Sequence, residues 1–236
     1  MEKEGFRVRA SRWGRAPIRT AALLIGAAFL SSLPSRSAAQ EPSLVRSPGA
    51  TGVDLVDVAR LDTTIRYDIR YATARNFLGR AVYPSPRALL RQPAALALAR
   101  VQRRLAPHGY GLLVFDAYRP WSVTKIFWDE TPPAQRAFVA DPRKGSRHNR
   151  GCAVDLTLVD LATGEEVRMT SAYDDFTARA SVASAGIAPE ERHRRDLLRT
   201  AMEAEGFTVE PLEWWHYDYR DWADAPLLDI PFDQIP

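Results

Sequence analysis

One residue narrows the folds open to this chain more than any other. Asp155 is a carboxylate inside the otherwise apolar run Cys152 to Val159 (CAVDLTLV), which reads as a β-strand. Burying a carboxylate among Val154, Leu156 and Leu158 is costly unless a cation compensates it. Two arrangements meet that requirement. An edge strand turns Asp155 to water, and an interior strand aims it at a bound metal ion. Alternation along the run permits both.

The remaining pattern points to an α+β domain with a mainly antiparallel sheet flanked by helices, because strands and helices do not alternate as regular βαβ units. Ile65 to Tyr71 (IRYDIRY) reads as a strand, and so does Leu112 to Phe115 behind Gly109-Tyr110-Gly111. Pro93 to Leu105 is Ala- and Leu-rich, begins on proline and stops before Gly109, the pattern of a helix. A short helix is expected from Ser122 to Trp128 and a longer one from Pro189 to Glu205, with Gly206 placed to cap it. Asp160 to Glu165 is turn-like, and Glu166 to Met169 is expected to return as a hairpin arm. Phe207 to Val209 and Trp214 to Tyr219 read as two closing strands around Pro211.

Charge separates the chain into unequal parts. Residues 1–39 hold seven of the 32 Lys/Arg and two of the 29 Asp/Glu, leaving 25 basic against 27 acidic side chains in residues 40–236. The body is therefore slightly acidic and offers no basic groove for nucleic acid. Arg7, Arg9, Arg12, Arg15 and Arg19 precede an apolar stretch from Ala21 to Leu33, then Pro34 and the small residues Ser37-Ala38-Ala39 before Gln40. This is the order of a secretory signal peptide over residues 1–39. Its apolar part, about 13 residues, is short for a bilayer span, although a retained anchor is the competing reading. Residues 40–52 (QEPSLVRSPGATG) are expected to be a disordered lead-in to one domain over 53–236. On this reading the mature protein is exported, periplasmic or otherwise extracytoplasmic, with no stable membrane insertion after cleavage.

Cys152 is the sole cysteine, so neither an intrachain disulfide nor a thiolate-rich zinc site is available. Any metal must be held by His and carboxylate. Of the four histidines, His108 sits in a Pro-His-Gly turn and His193 in a charged helix (EERHRRD); both read as solvent-facing. His148 lies in Ser146-Arg147-His148-Asn149-Arg150-Gly151, seven residues before Asp155. His216 lies in Glu213-Trp214-Trp215-His216-Tyr217, whose aromatic pair suits a strand lining a cleft. Two His and one Asp leave a fourth zinc position open, as catalytic sites do. Glu213 then stands as a general base. The same spacing also fits a structural Glu and a core His packed by tryptophans. Asp116-Ala117-Tyr118-Arg119-Pro120 ends the Leu112–Phe115 strand, where an Arg can stabilise an oxyanion or simply pair with Asp116 to hold a turn.

Taken together, Tyr71-Ala72-Thr73 with Asn76-Phe77, Gly109 to Leu113, Asp116 to Pro120, Ser146 to Gly151, Asp155 to Leu158, Asp174 within Tyr173 to Phe176, and Glu213 to Tyr217 resemble the VanX-type D-Ala-D-Ala dipeptidases in content and order. The resemblance covers about residues 53–222. It implies a compact α+β fold of the D,D-peptidase and hedgehog-like group. It also implies one Zn2+ per chain on His148, Asp155 and His216, Glu213 as catalytic base, and Arg119 stabilising the tetrahedral intermediate. Tyr71, Ser146 and Asp174 would line the pocket, with Asp174 suited to the free ammonium of a dipeptide.

Two features depart from the family. Cys152 stands where the family carries a serine and, so near the ligands implied by the resemblance, would make the site sensitive to oxidation or to thiol-seeking metals. Residues Thr177 to Val182 lack the Ser-His that often follows Asp-Phe, so the pocket wall differs. An export signal favours turnover of cell-wall peptides over antibiotic resistance. The alternatives are a zinc D,D- or L,D-carboxypeptidase acting on peptidoglycan stem peptides, and a wall-binding module without catalysis.

Overall fold

The computed structural model describes residues 41–50 and 53–236. The proposed signal peptide lies outside the described residues, as do Gln40, Thr51 and Gly52. In chain order the strands are β1 (Leu44–Val45), β2 (Leu55–Asp57), β3 (Arg66–Tyr67), β4 (Leu89–Arg91), β5 (Tyr110–Asp116), β6 (Ala153–Asp160), β7 (Phe207–Glu210), β8 (Glu213–Tyr219) and β9 (Leu227–Leu228). The α-helices among the described residues are α1 (Gln92–Leu105), α2 (Trp121–Glu130) and α3 (Pro189–Glu203). None is long and apolar enough to cross a membrane.

Among the described residues the central sheet has five strands in the order β3-β5-β6-β8-β7. Only the β3–β5 pairing is parallel; β5–β6, β6–β8 and β8–β7 are antiparallel. This is the expected α+β architecture. Strand alternation divides its residues between two faces. Val154, Leu156 and Leu158 of β6 and Leu112 and Val114 of β5 join the apolar core, together with Leu98, Val101 and Leu105 of α1 and Leu198 and Met202 of α3. Each such side chain contributes about 1.5–3 kcal/mol on burial. Asp155 and Thr157, the alternate residues of β6, are buried on the opposite face.

The α1 and α3 boundaries match the capping signals: proline stands in the first turn of each. Two expected elements are shorter than the sequence suggests. The Ile65–Tyr71 strand closes after Tyr67, and a 3-10 turn at Arg70–Ala72 carries Tyr71 inward, where it is 2% exposed. Asp68 pairs with Arg70 and Arg75 at that departure from the sheet. The Glu166–Met169 arm is reduced to a single bridge from Glu166 to Val159 and one bond from the Val167 N–H to the Leu158 carbonyl. The 40–52 lead-in also requires correction. Leu44 and Val45 pair in parallel with Leu227 and Leu228, so part of it is folded against the C-terminal segment. Backbone pairing supplied by a distant strand overrides the local turn-forming composition there.

Entry to β6 depends on one glycine. Gly151 adopts φ +67°, and a Cβ added there would lie 2.5 Å from Leu55 Cδ2. Gly151→Ala is therefore expected to cost about 1–3 kcal/mol of stability by urea unfolding. A loss well below that range would show that the turn can relax without glycine.

Candidate active site

The sheet places three polar residues in one row. On β5, β6 and β8, Asp116 pairs with Asp155 and Asp155 pairs with His216. Directly paired residues point to the same face of a sheet. A β-bulge between Val114 and Asp116 sets the Asp116 end of that row. His148 arrives from the 3-10 turn His148–Arg150 immediately before β6. Asp155 is therefore an interior residue, and the edge-strand alternative fails.

His148 Nε2 lies 3.1 Å from His216 Nδ1, which lies 3.0 Å from Asp155 Oδ1; His148 Nε2 is 3.3 Å from the same oxygen. Ligand atoms about 2.0–2.1 Å from a tetrahedral zinc stand about 3.3–3.4 Å from one another. The donor set therefore has nearly the edge lengths of three corners of such a tetrahedron. Each imidazole is aimed from behind. His148 Nδ1 donates to the Ala117 carbonyl at 2.6 Å, which leaves Nε2 as a lone pair facing the centre. His216 Nε2 meets Asp218 Oδ1 at 2.9 Å, which leaves Nδ1 for the centre.

The electrostatics match a cation site. Burial pushes the Asp155 carboxyl up, but the charge and hydrogen bonds of His148 and His216 outweigh it and hold the group far below the usual carboxylate range. Burial likewise pulls His216 down, yet bonds to Asp155 and Asp218 hold it well above the ordinary imidazole range.

Arg119 stands beside this centre with Nη2 4.0 Å from Asp155 Oδ2. It is fixed by bonds from Nε and Nη2 to Asp116 Oδ2 at 3.1 and 2.6 Å, and by stacking 4.5 Å over the Phe127 ring. Asp116 in turn accepts from Tyr83 Oη at 2.8 Å. The Asp-Arg pair makes the turn and also leaves the guanidinium beside the donor set. Glu213 Oε2 is 3.9 Å from His216 Nδ1. Burial, opposed by His216 and reinforced by Asp155, pushes the Glu213 carboxyl up to about 7.

A cavity of about 520 Å³ opens over these groups, with Tyr71, Ser146 and Asp174 in its lining. Asp174 has a left-handed backbone, φ 58°, and accepts from Tyr71 Oη at 3.1 and 3.2 Å. Burial first, and then the Asp155 charge, push its carboxyl up to about 8. Ser146 Oγ accepts from the His148 N–H at 3.2 Å, so it braces His148 as well as lining the cavity. Where the Ser-His is missing, Phe176 stacks on Phe138 at 5.1 Å and makes the wall aromatic.

Several expectations change or gain detail. Cys152 does not face the donor set: its thiol donates to the Arg150 carbonyl at 3.5 Å, and burial pushes it up to about 11. A thiol held protonated at neutral pH is a poor target for oxidation, contrary to the sequence reading. His108 and His193 are exposed, as read. Two supporting residues escaped the sequence reading. Tyr173 Oη donates to Asp155 Oδ2 at 2.9 Å, and Asp218 backs His216. Only the spacing of two between His216 and Asp218 on a strand could have pointed to the latter.

The sequence profile of a family described as D-ala-D-ala dipeptidase, Peptidase_M15, matches residues 51–234. The chain belongs to the D-ala-D-ala dipeptidase family. It is 34% identical over 179 residues to a D-alanyl-D-alanine dipeptidase of Escherichia coli (strain K12), covering 76% of this chain and 91% of that one. To the enzyme of that name from Enterococcus faecium it is 37% identical over 178 residues, 66% of this chain and 87% of the other. For that of Enterococcus faecalis the identity is 36% over 190 residues, with coverage of 72% and 91%. Among solved structures, the LdcB LD-carboxypeptidase is similar at 17% identity with a TM-score of 0.42, over 72% of this chain and 70% of that one.

The Asp116–Arg119 pair yields a test of the family site's scaffold. Asp116→Ala would remove both hydrogen bonds that hold the buried Arg119 guanidinium and the acceptor of the Tyr83 hydroxyl, with an expected loss of about 3–5 kcal/mol in denaturant unfolding. Asp116→Asn should lose less. Near-neutral stability of the alanine variant would show that Arg119 finds another partner.

Proposed function

We propose that this protein is a zinc dipeptidase that hydrolyses D-alanyl-D-alanine to two D-alanines, with His148, Asp155 and His216 as metal ligands. One observation carries the reading: two imidazole nitrogens and a carboxylate oxygen within 3.3 Å of one another, each turned toward a common centre. Family membership supports the substrate, because the relatives named above are D-alanyl-D-alanine dipeptidases. Zinc, when bound, polarises the scissile carbonyl and lowers the pKa of water toward about 7.

The chain's own groups then divide the work. Glu213 takes a proton from the attacking water and returns it to the departing amine. Arg119, locked by Asp116 and stacked on Phe127, faces the oxyanion as charge develops there. Asp174, positioned by Tyr71, meets the free ammonium, and that contact sets the dipeptide's carbonyl over the centre. Such an anchor favours a free N-terminus two residues from the cleaved end. The N-terminal arginines, apolar stretch and small residues support export, which would place the enzyme where peptidoglycan releases such dipeptides.

Glu213→Ala should retain zinc and lose about 10²–10⁴-fold in kcat, read by metal analysis beside a hydrolysis assay. Zinc lost together with activity would make Glu213 a ligand instead. Arg119→Ala should lower kcat by about 10²–10³-fold with KM little changed. An unaltered kcat would remove the oxyanion role. Chelation of the purified mature protein should abolish turnover, and zinc should restore it. Mass spectrometry of products from D-Ala-D-Ala and from a muropeptide pentapeptide decides the substrate: D-alanine released from the pentapeptide alone would make the protein a carboxypeptidase.

A further inference from the structure

Asp218 is 7% exposed, sits two residues beyond His216 on β8, and is paired in register with Ala153 and Thr208. Its Oδ1 lies 2.9 Å from His216 Nε2, and its Oδ2 lies 3.1 Å from Arg147 Nε. Arg147 is itself held: Nη1 bonds Glu210 Oε2 at 3.0 Å, and the guanidinium lies 5.0 Å over the Trp222 ring. We propose that Asp218, clamped by Arg147, is a positioning residue that fixes which nitrogen of His216 faces the metal. The inference rests on the metal reading of the preceding section.

A neutral imidazole carries one N–H, and an ionised carboxylate accepts hydrogen bonds without donating any. Asp155 Oδ1 also stands 3.0 Å from Nδ1, but that oxygen is itself one of the donors turned to the metal; with both on the cation, the carboxylate behind Nε2 holds the one hydrogen and Nδ1 keeps the lone pair a metal needs. Without that partner the ring can place its hydrogen on Nδ1, which blocks the donor position. The His148 ring is pinned by the same rule in the opposite sense, through Nδ1 and the Ala117 carbonyl. A carbonyl is neutral and a carboxylate is charged, so His216 becomes the more strongly donating of the two imidazoles.

Arg147 extends the arrangement across the site. It is the chain neighbour of His148, yet its side chain braces the carboxylate behind His216. One short segment thereby sets both rings: Ser146 accepts from the His148 backbone, and Arg147 saturates the second oxygen of Asp218. Both oxygens of Asp218 are thus engaged, one by His216 and one by Arg147.

The test uses the full mature chain, stripped of metal and titrated with zinc against a chromophoric chelator, with ¹⁵N-histidine NMR of the loaded protein. Asp218→Ala should weaken zinc binding about 10–100-fold. Asp218→Asn keeps an acceptor oxygen and should fall between Asp218→Ala and the unaltered protein, with the hydrogen of His216 still on Nε2. Arg147→Ala should weaken binding by less than Asp218→Ala. Glu190→Ala, on the exposed first turn of α3, should change nothing. Equal zinc affinity in Asp218→Ala and the unaltered protein would overturn the inference while leaving the metal site intact, and a hydrogen found on Nδ1 of His216 in the loaded protein would overturn both this inference and the role of His216 as a ligand. An unaltered protein that binds no zinc would overturn the metal reading as well. If Asp218→Ala does not fold, Arg147→Ala decides: weakened binding supports the clamp, and unchanged binding removes it.

Discussion

A negative charge in the middle of a sheet has to be answered, and the rest of this molecule is arranged around that demand. Asp155 has Asp116 as its pairing neighbour on one side and His216 on the other, with His148 reaching it from the turn that feeds its own strand. In the low dielectric of a protein interior an isolated carboxylate would cost several kcal/mol or shift to its neutral form. Here two imidazoles, a guanidinium 4.0 Å away and a tyrosine hydroxyl surround it. The helices α1 and α3 cover the opposite face with aliphatic side chains, which frees the polar face for chemistry.

Much of this was legible in the chain. Asp155 stood out because it broke an apolar run, and His148 and His216 stood out because each sat in a polar or aromatic motif with no simpler explanation. The helices were legible from proline at their starts and glycine near their ends. What stayed hidden depends on contacts between distant segments. No local pattern shows that Leu44 and Val45 will pair with Leu227 and Leu228, or that Tyr173 will reach Asp155. Asp218 reads as an ordinary strand aspartate until the fold turns it toward a histidine. Cys152 was misjudged for a related reason: closeness in sequence to Asp155 says nothing about the direction of its side chain.

The supporting groups are as ordered as the ones they support. Arg119 is oriented by Asp116, Asp116 by Tyr83, and Asp174 by Tyr71, so each of these three groups has a neutral or opposite partner behind it. Asn149 adds a backbone link: its side chain accepts from the Ser146 N–H and donates to the Arg119 carbonyl and to Thr124 Oγ1. Through it, the segment bearing His148 and the segment bearing Arg119 are held in one frame. A charged group with a fixed partner needs little reorganisation when a substrate's charge changes during reaction.

The backbone of Asp174 limits how this pocket can diversify. A left-handed residue is comfortable as glycine, asparagine or aspartate, and strained for nearly every other side chain. Sequence drift at this wall is therefore confined to a short menu in which the only changes are loss of charge or loss of the side chain. New preferences for larger or differently charged ligands would have to arise from the neighbouring aromatic residues, such as Phe77 and Phe176, whose backbones carry no such restriction.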